Sequence, residues 1–86
     1  MSVGAETREV RLKRMRMRAG RRGIKEMDLI LAAFADREMA GMSGAELDAF
    51  ERLMEQNDQD LYQWVSGQVD APEAHADLVA RIRAGL

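Results

Sequence analysis

Apolar positions along this chain recur at three- and four-residue intervals, and no window alternates with the period of two that a half-buried strand requires. Met27, Ile30, Leu31 and Phe34 stand at i, i+3, i+4 and i+7, with Lys25, Asp28 and Asp36 off that face. Residues 24–39 therefore predict a helix with one core-facing stripe, and Gly41 ends it. Ser43-Gly44-Ala45-Glu46 has the form of a capping box, in which the Ser oxygen accepts from the Glu46 N–H and the Glu side chain reaches back. Leu47, Phe50 and Met54 make the stripe of the helix that follows, with Leu53 on its flank. Asn57-Asp58-Gln59-Asp60 punctuates the chain and opens a short helix, Asp60 to Ser66, whose inner face is Leu61, Trp64 and Val65. Gly67 stops it. Pro72 suits the first turn of a last helix, with His75, Leu78, Val79 and Ile82 facing inward.

Upstream, residues 6–19 lack Gly and Pro and are dominated by good helix formers. Leu12, Met15 and Ala19 share one face while Val10 and Met17 lie opposite, so this helix leans on the rest of the domain or on a partner. Between it and the next helix come Gly20, Arg21, Arg22, Gly23, Ile24, Lys25 and Glu26. Glycine at a helix end usually supplies a positive φ, so the corner is expected to turn through left-handed backbone, with its two arginines projecting outward. Glu26 falls in the first turn of the following helix, where the dipole favours a carboxylate. Five helices joined by short turns predict an all-α, compact five-helix bundle forming a single small domain over residues 1–86, with residues 1–7 disordered.

Composition changes this picture little. At 86 residues, 47% hydrophobic and 33% charged, the chain is an ordinary globular one, and a domain of that size buries only about 60–65% of its unfolded surface. It has no cysteine and one histidine, which excludes disulfides and makes a structural zinc site untenable. No apolar run approaches the ~20 residues of a membrane span. The N-terminal residues lack the apolar core of a secretory signal, and the expected location is the cytoplasm.

Charge changes it more. The net charge is −2, but residues 8–25 hold nine basic residues and one acid, a local +8. Residues 26–86 hold four basic and thirteen acidic residues, a local −9. Such asymmetry points to a charged partner. One reading is a nucleic-acid-binding or regulatory module using Arg8 to Lys25. Tyr62 and Trp64 lie far from the arginines in sequence, however, so stacking residues are not interleaved with them.

No catalytic set can be assembled. Asp58-x-Asp60 lacks the Gly and Glu of a calcium loop, since Gln63 and Val69 occupy those positions. His75 stands without a serine, cysteine or second histidine around it. Neither the dinucleotide-binding glycine pattern nor a phosphate-binding loop occurs.

The stretch Arg21-Arg22-Gly23-Ile24-Lys25-Glu26-Met27-Asp28, preceded by Lys13-Arg14-Met15 and Arg18, resembles the R-G-x-x-E signature of the SdhE family. These are small FAD assembly (flavinylation) factors of succinate dehydrogenase and fumarate reductase. The resemblance continues in Phe34, in Ser43-x-x-Glu46-x-x-x-Phe50-Glu51-x-Leu53-Met54-Glu55, and in Asp58-x-Asp60-Leu61-Tyr62-x-Trp64-Val65-x-Gly67. It covers about residues 11–84. Gln59 stands where many members have Pro, and Met42 where Leu is usual.

The resemblance implies a five-helix domain and a chaperone-like role, not an enzyme. The chain would bind the flavoprotein subunit of one or both complexes while FAD becomes linked to a histidine of that subunit. The implied partner-binding residues are Arg22, Gly23 and Glu26 of the motif, their neighbours Arg21 and Ile24, and Arg14 and Arg18 on the first helix. No cofactor is expected to stay on this chain, since FAD belongs to the partner, and neither nucleic acid nor membrane insertion is expected.

Overall fold

The structure, a computed structural model, describes residues 6–86. Residues 1–5, part of the segment expected to be disordered, lie outside it. Five α-helices follow in order: α1 (Arg8–Ala19), α2 (Lys25–Glu38), α3 (Gly44–Met54), α4 (Asp58–Val65) and α5 (Glu73–Ala84), with a 3-10 turn, Met39–Gly41, after α2. The described residues contain no strand. The all-α, five-helix architecture expected from periodicity is the observed one.

Each stripe faces the common core. Met15 and Ala19 of α1, Met27, Leu31 and Phe34 of α2, and Leu47, Phe50, Leu53 and Met54 of α3 are buried. Leu61 and Val65 of α4 and Val79 and Ile82 of α5 join them. Phe34 of α2 and Phe50 of α3 meet edge to face, with ring centroids 5.3 Å apart, a geometry that aligns a positive ring edge with a negative face. On the far side of α1, Val10 and Met17 are 53% and 54% exposed, as the weak striping of that helix anticipates.

The helix ends are capped largely as the sequence suggests. Ser43 and Glu46 form the full capping box of α3, with Ser43 N–H donating to Glu46 Oε1 at 2.8 Å and Glu46 N–H donating to Ser43 Oγ at 3.1 Å. Gly67 ends α4 with φ +83°, the left-handed region that favours glycine. Thr7 caps α1 by accepting from Val10 N–H, and Glu6 holds Arg14. These two residues, expected in the disordered segment, thus have defined partners.

Boundaries shift by a residue or two: α1 spans Arg8–Ala19 instead of 6–19, α2 spans Lys25–Glu38 instead of 24–39, and α4 ends at Val65 instead of Ser66. α4 starts at Asp58 instead of Asp60, because Asn57 serves as its cap and accepts from Gln59 N–H at 2.8 Å. Pro72 is the N-cap of α5 and not a residue of its first turn. Trp64 is half-buried on the flank of α4, where its ring stacks on His75 of α5 at 5.7 Å between centroids.

Candidate functional site

The corner between α1 and α2 is built from three directions. α1 stops at Gly20, whose N–H donates to the carbonyls of Arg16 and Met17, and Arg21 N–H closes the end by donating to Arg18 O at 3.3 Å. Ile24, extended at φ −116° and ψ 126°, is the N-cap of α2 and packs its side chain against the core. A β-branched residue suits that extended backbone but offers no oxygen to the free N–H groups of the helix start. Asp28, in the first turn, reaches back to accept from Arg22 N–H.

The third direction is α4. Asp58, its first residue, accepts from Gly23 N–H through Oδ2 at 2.5 Å and from Arg22 Nε through Oδ1 at 2.7 Å. Arg22 also donates to the Gln56 carbonyl at 3.3 Å. The pair is well covered, with the Arg22 side chain 8% exposed and that of Asp58 18% exposed. Both partners are ionised groups joined by directed hydrogen bonds, the strong kind.

Two expectations are corrected by this geometry. The corner contains no positive φ: Gly20 sits at φ −92° and ψ 12°, and Gly67 is the glycine of the described residues with a left-handed backbone. What Gly23 supplies is space. A Cβ built there would lie 3.1 Å from Asp58 Oδ2. Nor do both arginines project. Arg21 is exposed, but Arg22 turns inward onto Asp58. Nothing in the sequence ties Asp58 to this corner. Its partners lie about 35 residues upstream, beyond any local periodicity.

The remaining implied residues divide by what holds them. Arg14 is engaged on both sides, by Glu6 at 2.8 Å and by Glu51 of α3 at 3.0 Å. Those carboxylates push the Arg14 guanidinium well above its ordinary pKa. In return, Arg14 holds the Glu51 carboxyl below its ordinary value of 4.5, against an opposing push from burial, and Arg11 adds to the lowering. Arg18, Arg21 and Glu26 have no ion-pair partner among the described residues, and Arg21 and Glu26 are exposed.

The strong basic charge of residues 8–25 is therefore much reduced at the surface. Arg11, Arg14, Arg16 and Arg22 sit in ion pairs with Asp48, Glu51, Glu6, Asp36 and Asp58. Arg8 donates to the Met42 and Ala40 carbonyls. Lys13, Arg18, Arg21 and Lys25 remain without an ion-pair partner among the described residues. A shallow groove of about 540 Å³ runs along the outer face of α1, floored by Val10 and Met17 and rimmed by Lys13, Arg14, Arg18 and Arg21.

The small all-helical domain thus presents a pinned, charged corner beside an apolar groove. Comparison with known proteins places it in a family. Residues 13–85 match the family described as the flavinator of succinate dehydrogenase, and the chain belongs to that family. It is 35% identical over 68 residues to the mitochondrial succinate dehydrogenase assembly factor 2 of Mycosarcoma maydis, a match covering 79% of this chain and 29% of that protein. Over 65 residues it is 35% identical to the protein of the same name from Meyerozyma guilliermondii, covering 76% of this chain and 48% of the relative. It is also 35% identical over 63 residues to the FAD assembly factor SdhE of Legionella pneumophila, covering 73% of this chain and 80% of the relative. The chain thus spans less than half the length of these two fungal relatives. No helix among the described residues is long and apolar enough to cross a membrane.

Proposed function

We propose that this chain is an assembly factor that binds the flavoprotein subunit of succinate dehydrogenase, or of fumarate reductase, while FAD is linked covalently to a histidine of that subunit. The factor contributes differential binding of one arrangement of the subunit and no bond-making group of its own. It acts where the subunit is loaded, in the cytoplasm, and FAD stays with the subunit. The observation that carries this reading is the family match over residues 13–85, joined to the pinned corner holding Arg22, Gly23 and Glu26. On that corner we assign contact with the partner to Arg21, Glu26 and the exposed face of Gly23, with Arg14 and Arg18 along the adjoining groove and Ile24 anchoring the turn. A nucleic-acid role for Arg8 to Lys25 loses support because five of its nine basic side chains already have partners within the domain.

The test is mass spectrometry of the purified flavoprotein subunit, incubated with FAD in the presence and absence of this chain. Covalent flavin is expected to rise when the chain is added, and Glu26→Ala is expected to abolish the rise while remaining folded. Removing this exposed carboxylate from a helix start costs only about 0.5–1 kcal/mol. Equal flavin with and without the chain would overturn the reading.

A further inference from the structure

The motif corner is held by a residue outside the motif. Asp58 uses both carboxylate oxygens on it, one on the Gly23 N–H and one on the Arg22 guanidinium. Gln56, two residues earlier, accepts from the same guanidinium. Arg22 presents little surface to any partner, and the side of Gly23 on which a Cβ would stand is filled by the Asp58 carboxylate. Asp28 fixes the Arg22 backbone from the α2 side. Four hydrogen bonds from two further helix starts thus converge on two consecutive residues.

We propose that Asp58 is a positioning residue for partner docking, and that Arg22 acts through it instead of by touching the partner. The inference rests on the reading that the flavoprotein subunit docks on this corner. Its physical basis is that Arg21 and Glu26 flank the pinned pair on the exposed surface, so their separation and direction follow from how the backbone at Arg22 and Gly23 is held. Releasing the carboxylate frees the Gly23 N–H and the guanidinium together. The corner then samples several shapes, and binding must select one of them, which weakens apparent affinity by the fraction that is competent. Arg22 released from Asp58 loses the same constraint, so removal of either partner has one consequence.

A double-mutant cycle on affinity tests this, using the full chain and the purified flavoprotein subunit. Dissociation constants are measured for the wild type, Arg22→Ala, Asp58→Ala and the double variant, at a temperature where circular dichroism shows each to be folded. Each single change is expected to weaken binding on the order of tenfold, with the double variant no weaker than the worse single one, because one constraint is lost in all three. Losses that multiply would mean that Arg22 contacts the partner directly, and the proposal fails. It fails equally if folded Asp58→Ala binds like the wild type, since a residue with a merely stabilising role would lower the melting temperature and leave the affinity of the folded protein unchanged. Asp58→Asn, which keeps the size and loses the charge, runs through the same cycle, so an unfolded Asp58→Ala does not halt the test. A wild-type chain that does not bind the subunit at all overturns the docking reading and this role with it.

Discussion

A methyl group at Gly23 would meet the Asp58 carboxylate at 3.1 Å, whereas one at Gly67 would meet the Arg83 guanidinium at 2.8 Å on a backbone already at φ +83°. The two glycines therefore do different things. Gly67→Ala forces an L side chain into left-handed backbone and is expected to cost about 1–2 kcal/mol, a fall of roughly 4–8 °C in melting temperature per kcal/mol for a domain of this size. Gly23→Ala carries no φ penalty and needs a shift of a few tenths of an ångström. It should melt close to the wild type yet lose partner affinity, because the carboxylate that must move is the one holding the corner. Calorimetry beside a binding titration separates the two outcomes. Phe34→Ala supplies the core control: it removes a buried ring packed on Phe50 and is expected to cost about 3–5 kcal/mol.

Helices in this chain are joined as much by charged side chains as by turns. Arg11 and Arg14 tie α1 to Glu51 of α3, and Arg81 of α5 bridges Glu38 of α2 and Glu46 of the α3 capping box. The Arg81 guanidinium holds the Glu38 carboxyl below its ordinary value, with help from Arg37. At Glu46 the Ser43 N–H is the largest cause of the lowering, followed by Arg81. Carboxyls whose pKa is lower folded than unfolded stabilise the fold fully above their unfolded value, near 4.5, and lose that contribution as pH falls through the folded value. The melting temperature is expected to stay level from neutral pH down to about 5.5 and to fall below about 4.5. Glu51→Gln should show a shallower fall across that window. Ser43→Ala removes half of the capping box and should cost about 1 kcal/mol. Periodicity made the helices and their inner faces legible, because 3.6-residue spacing records burial directly. It could not place the start of α4, where Asp58 serves the corner as well as the helix.

Across the whole molecule, the lopsided charge seen in the sequence is mostly an internal affair. Arginines of α1 face carboxylates of α2 and α3, and the unpaired cations of residues 8–25 lie along α1 and at the corner. Partner binding is expected to weaken with ionic strength, but modestly, since few exposed charges contribute and each is screened within about 8–10 Å at ordinary salt. A titration with the flavoprotein subunit across a salt series checks this; steep dependence would return the whole basic segment to the interface. The chain alone should not carry FAD through gel filtration, and a stoichiometric yellow complex would move the cofactor site onto this domain. The residues we assign to the site were marked in the sequence by their spacing. Their directions were not, since direction depends on which distant side chain each one meets.

Closing Arg22 onto Asp58 joins residues 36 positions apart, and that span ties the corner to the order in which the chain folds. A chain formed only as far as α3 holds every residue of the motif but lacks the carboxylate that shapes it, so on the role proposed for Asp58 competence to dock arrives with the packing of α4. The Gly23 amide should then exchange with deuterium only through openings that release α4, and its exchange should steepen with denaturant like that of core amides such as Phe50. Exchange at Gly23 that ignores denaturant would show the corner fraying alone. If the two are coupled and the corner docks the subunit as proposed, an incompletely folded copy would not engage it, and the surface would serve as its own checkpoint of maturation.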